Sequence, residues 1–100
     1  MSGRTFFLTD PAKLRLPIER IEGADPAKLQ RQIARFGRSL VGMPPVLVYR
    51  GVDDELILSD GVTRSTRAVL LCPGALIPAE LLGVLPHSFA HVPTVLEKRP

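Results

Sequence analysis

Asp60-Gly61-Val62-Thr63-Arg64 lies between an apolar stretch, Leu56–Ser59, and a helical one, and its residue types suit the binding of an anion. Glycine permits a tight strand-to-helix turn, and the N–H groups at the start of the helix have no acceptor within it. The positive end of the helix dipole points the same way. Arg64 and Arg67 supply guanidinium donors, and Thr63, Ser65 and Thr66 supply hydroxyls. The chemistry expected of this group is a grip on phosphate. An arginine in the first helical turn opposes the dipole unless an anion sits there, which singles out Arg64. Its rival role is a salt bridge to Asp60, Glu55 or Glu80. Asp60 is expected to cap the helix, with a second role as acceptor for a substrate hydroxyl or ligand of a phosphate-bound metal. Arg67, one turn on, either reaches the same phosphate or is solvated.

Three further arginines, Arg31, Arg35 and Arg38, recur along one segment as a basic stripe, a weaker candidate for contact with nucleic acid. His87 and His91 are four apart, but Pro86 and Pro93 leave them little more than one turn, and Glu97 would be needed as a third ligand, so no metal site is expected. Cys72, next to Pro73, reads as buried and inert. No Ser–His or Cys–His pair has local support, and Asp60 and Glu80 are the sole carboxylates that come into question as a base, so no catalytic residue is assigned.

These residues need elements to position them. Leu14–Ile21 alternates apolar and polar residues and predicts a short strand, which Pro17 keeps off a central position. Asp25-Pro26 predicts a helix start, and Leu29, Ile33, Phe36 and Leu40 form its core row. Gly37 ends that helix near Arg35 or Phe36. The arginine stripe then faces away from the core. Val46–Arg50 and Glu55–Ser59, joined through Gly51–Asp54, predict an antiparallel hairpin whose second strand delivers Asp60-Gly61 to a helix over Thr63–Leu71. Pro73-Gly74 ends the helix, and Leu76–Leu82 predicts another strand. The fold class is α+β, a small mixed sheet with a β-hairpin and two main helices. One domain over residues 1–100 is expected, its core at about 14–83, with 84–100 a tail or a short helix around Ser88–His91.

The chain has 100 residues and a formal charge of +3. Residues 1–50 carry nine Lys/Arg against four Asp/Glu, and residues 51–100 carry four against six, so the basic charge sits in the first half. That asymmetry is compatible with an acidic partner or nucleic acid. A single cysteine excludes an intramolecular disulfide and points to a reducing compartment. The opening MSGRTFFLTD is too briefly apolar for a secretory signal, and Pro73, Gly74, Pro78, Glu80 and Gly83 interrupt the one long apolar stretch. A cytoplasmic protein without membrane attachment is expected.

The order of strand, helix, PPVLVYR hairpin, DGVTR turn, helix, Pro-Gly and IPAELLG strand resembles the ParB/sulfiredoxin-like superfamily over roughly Leu14–Gly83. Its most specific parts are Asp60-Gly61-x-x-Arg64 and Ile77-Pro78-x-Glu80. The resemblance implies a phosphate or nucleotide site at Gly61 and Arg64, with a nucleoside triphosphate and Mg as the ligand in ParB-like proteins and ATP in sulfiredoxins. Sulfiredoxins carry Cys-His before that arginine, where this chain has Val62-Thr63, so the thiol for sulfinate repair is missing. ParB proteins carry a second arginine at the position of Thr63 and continue into a helix-turn-helix for DNA, which the residues after Gly83 do not resemble. The expected function is therefore a phosphate-, nucleotide- or nucleic-acid-binding ParB-like domain with Asp60, Gly61, Thr63, Arg64, Ser65 and Arg67 at the ligand. Two alternatives are a toxin or defence enzyme acting on NAD or nucleic acid, as nuclease or ADP-ribosyl transferase, and a protein-interaction module with a degenerate site; a protein partner or a homo-oligomer is compatible with each reading.

Overall fold

The computed structural model describes residues 3–100, an α+β domain with a four-stranded mixed sheet and two helices. In chain order the elements are β1 (Thr5–Thr9), α1 (Pro26–Phe36), β2 (Val46–Arg50), β3 (Leu56–Asp60), α2 (Val62–Leu71) and β4 (Ile77–Val84). Short 3-10 turns at Pro11–Lys13 and Ile18–Arg20 connect β1 to α1. The sheet order is β1-β4-β2-β3. β4 runs parallel to β2 and antiparallel to β1, and β2 and β3 form the expected hairpin. No helix among the described residues is long and apolar enough to cross a membrane.

α1 begins where its sequence dictates. Asp25 accepts a hydrogen bond from Ala27 N at 3.0 Å and Pro26 fills the first position. It ends at Gly37, whose φ of 53° no β-carbon favours. One expectation for its core face needs correction. Leu29 is buried, but Phe36 is 42% exposed, with the guanidinium groups of Arg35 and Arg67 within 5.2 and 5.3 Å of its ring centre. The helix stops before Leu40, so the apolar row is shorter than its spacing suggests.

Three other segments differ from the sequence reading. Leu14–Ile21 forms no regular strand: Arg15 bridges to Ile57 and Thr94, Leu14 and Leu16 enter the core, and a 3-10 turn follows Pro17. Thr5–Thr9 is a strand, where no element is expected from its residues. Residues 84–100 contain no helix at Ser88–His91 and are not a loose tail. Val95 belongs to the core with Leu14, Leu16, Val46, Val48, Leu58 and Ile77, and its N–H donates to Leu14 O at 2.9 Å.

Asp53 fastens this last segment to the hairpin turn. Its carboxylate accepts from Ser88 Oγ at 2.7 Å and from the N–H groups of Phe89 and Ala90, both at 2.9 Å. The Ser88 bond first, and those backbone donors with it, lower its pKa from 3.8 to about 2. A depressed carboxylate stabilises the fold above its unfolded pKa, and that contribution fades as pH falls through the folded value. Acid titration followed by circular dichroism should show stability lost between about pH 4 and about 2, in the interval set by that shift. Asp53→Asn should flatten the profile there. An unchanged slope would show that the carboxylate is not what fastens the segment.

Candidate functional site

The hairpin hands over to α2 as expected, with Gly61 at the capping position (φ 109°, ψ 21°). No side chain caps this helix, so the N–H groups of Val62, Thr63 and Arg64 have no acceptor in its first turn. Asp60 is not the cap, in contrast to the sequence reading. It stands one residue too early, 65% exposed, with Oδ2 3.4 Å from Arg64 Nη2. Gly61 is enforced by packing as well as by conformation: a β-carbon there would overlap the buried Val46 side chain, 2.7 Å from its Cβ.

The start of α2 opens into a cleft of about 680 Å³ between it, α1 and the 3-10 turn at Ile18–Arg20. Asp60, Gly61, Thr63 and Arg64 line it, and Arg31 and Arg35 approach from α1. Two of the three stripe arginines, Arg31 and Arg35, thus face away from the core and into the site. Arg20 and Lys28 complete a set of five cations against two carboxylates, Glu19 and Asp60. The cleft concentrates a positive charge equal to the formal +3 of the whole chain. Lys28, Arg31, Gln32 and Arg35 follow the i, i+3, i+4, i+7 spacing of one helix face, a readable signal for the missing Lys28 and Gln32. Arg20 lies in a turn and carries no such pattern.

Arg64 is held without being satisfied. Its Nη2 donates to Pro45 O at 3.3 Å and lies at the edge of reach of Asp60. Its Nε is buried with no partner. An unpaired buried donor costs about 1–3 kcal/mol, and the donor this guanidinium can offer a ligand is Nη1, since Nη2 alone bonds to the protein.

Two expected ligand residues are placed elsewhere. Ser65 is fully buried on the inner side of α2 and does not line the cleft. Arg67 is 2% exposed and already spent on the protein: Nη1 donates to Gly37 O and Ser39 O, both at 2.8 Å, and Nε to Gln32 Oε1 at 3.2 Å. It fastens the end of α1 to α2. Thr66 is also unavailable, its hydroxyl donating to Val62 O at 2.8 Å. Arg38 is exposed outside the cleft lining. Glu80, considered as a base, lies outside the cleft and accepts two bonds from Arg4, at 2.7 and 3.0 Å. Those bonds lower its pKa, opposite to what a general base at neutral pH needs. Glu97 accepts from Thr94 N at 2.9 Å in a local turn, and no group of three or more His, Cys, Asp or Glu converges among the described residues.

Compared with protein-family models and with curated proteins, the chain matches none.

Proposed function

We propose that the cleft binds a phosphate-bearing ligand, a nucleotide or a nucleic-acid segment, and that the chain is a ParB/sulfiredoxin-like domain working by binding. One juxtaposition carries this reading. The uncapped start of α2, the under-satisfied Arg64 and the Lys28–Arg31–Arg35 face of α1 all border one cleft. Backbone N–H groups and a helix dipole favour an anion at that point, and a guanidinium suits phosphate geometry. Thr63 adds a hydroxyl at the same mouth. A divalent ion, where the ligand is a triphosphate, would be carried by the phosphates. Asp60, at the start of α2, would be the carboxylate available to it there.

Binding is favoured over catalysis by the carboxylates. Asp60 is drawn toward Arg64, and Glu80 is engaged by Arg4 away from the cleft. The test is thermal shift with ATP, CTP and NAD at millimolar concentration, with and without Mg. At least one should raise the melting temperature, since ligand at 100 times Kd adds about 2.7 kcal/mol. Arg64→Ala should weaken that ligand by about 10- to 100-fold, the worth of a charged hydrogen bond. Raising salt should weaken it further. A melting temperature unmoved by every nucleotide would contradict the proposal and leave the interaction module. Turnover of NAD or cleavage of nucleic acid, abolished in Arg64→Ala, would replace binding by the enzyme reading.

A further inference from the structure

The two edges of the sheet are treated differently. The β3 edge is covered, because Arg15 N donates to Leu56 O at 2.8 Å and Leu58 N donates to Arg15 O at 2.9 Å. The β1 edge has no strand or bridge along its outer side among the described residues. Exposed edges are ordinarily protected by charge, proline or a bulge. β1 reads TFFLT, without charge or proline, in unbroken register with β4.

Its outward groups follow from Pro78. Leu8 lies opposite Pro78, which has no N–H, so that pair is not hydrogen-bonded across β1 and β4. By alternation Phe6 and Leu8 point their N–H and C=O groups outward. Their side chains, 53% and 65% exposed, lie on the sheet face opposite Phe7, which packs on the core. The Arg4 guanidinium lies 5.0 Å from the Phe6 ring centre on that same face.

We propose that β1 pairs antiparallel with β1 of a second copy, about a two-fold axis at Phe7, joining two four-stranded sheets into one. The segment is complementary to itself in that register. Arg4 comes opposite Asp10, Thr5 opposite Thr9, and Phe6 opposite Leu8. Phe6 and the partner's Leu8 exchange backbone bonds while their side chains meet on the open face. Both members of the ion pair have capacity for it. Asp10 is extended (φ −78°, ψ 111°) and uses Oδ1 alone to accept from Ala12 N, while Arg4 holds Glu80 through Nε and Nη2 and keeps Nη1. A parallel arrangement would set Arg4 against Arg4 and Asp10 against Asp10, and a shift of two residues would separate the charges. The occupant is therefore a second copy of this chain in this register.

Sedimentation equilibrium from roughly 10 µM to about 1 mM tests it, the range in which small interfaces assemble. The wild type should move from 10.9 kDa toward twice that mass. Leu8→Glu should remain monomeric throughout, with unchanged circular dichroism, since Leu8 is exposed in the isolated domain. Val52→Glu, at an equally exposed position on the hairpin turn, should dimerise as the wild type does. A wild type that stays at 10.9 kDa overturns the proposal, as does a dimer that survives Leu8→Glu or is lost in Val52→Glu.

Discussion

Gly61→Ala should lower the melting temperature by at least about 10 °C. Two independent costs add at that position. The φ of 109° lies where an L residue is strained by about 1–2 kcal/mol. The added carbon also meets Val46, fully buried in β2 and packed among core side chains that leave it no room to withdraw. Overpacking of this kind costs about 1–3 kcal/mol. Together they remove a large fraction of the roughly 5–15 kcal/mol by which a domain of this size is ordinarily stable. Alanine at Gly74, where φ is 85° but a β-carbon meets nothing within 4 Å, separates the two terms and should cost only the conformational part. Equal losses at the two positions would show that the contact with Val46 contributes nothing. A Gly61→Ala melting temperature within about 2 °C of wild type would contradict the turn geometry itself.

Arg67→Met should lower stability by about 2–4 kcal/mol in urea denaturation, although Met matches the length and much of the apolar stem of arginine. The loss comes from Gly37 O and Ser39 O, which lose their donors where α1 ends and the chain turns toward β2. Arg67→Lys should recover a minor part, because one ammonium cannot reproduce the fork that spans both carbonyls and Gln32. Arg31→Met, exposed in the cleft, should change stability by less than about 0.5 kcal/mol, and Arg35→Met, which also gives up its contact with the Phe36 ring, by no more than about 1 kcal/mol. The contrast separates arginines that build the domain from arginines available to a ligand. Comparable stability losses at Arg35 and Arg67 would erase that distinction.

Local physics made much of this legible. Asp25-Pro26, the apolar spacing of Leu29 and Ile33 and the terminating Gly37 specify α1 within a short window, and the hairpin and the glycine turn before α2 are equally local. What stayed hidden depends on partners distant in sequence. Asp53 binds residues 88–90 across 35 to 37 positions, so nothing in Pro86–Pro100 announces that it is fastened down. Leu14 and Leu16 alternate like a strand, yet their neighbour Arg15 supplies only isolated bridges to Ile57 and Thr94. β1 has too few residues and no alternation of polarity, since Phe6, Phe7 and Leu8 are all apolar. Arg64 and Arg67 differ by one helical turn and look interchangeable in sequence. The chain from Gly37 to Ser39 accepts from one of them and leaves the other at the cleft, a choice that only packing makes.

The central claim is that phosphate oxygens settle at the start of α2 among Gly61, Thr63 and Arg64. Amide-resolved NMR on the nitrogen-15-labelled chain, titrated with the nucleotide that gives the largest thermal shift, tests it most directly. The largest saturable shifts should fall on the N–H groups of Gly61, Val62, Thr63 and Arg64, with smaller ones on α1 near Arg31 and Arg35, and Arg64→Ala should abolish saturation at the same concentrations. Shifts that concentrate elsewhere, or a spectrum that stays unmoved at millimolar ligand, would contradict the account.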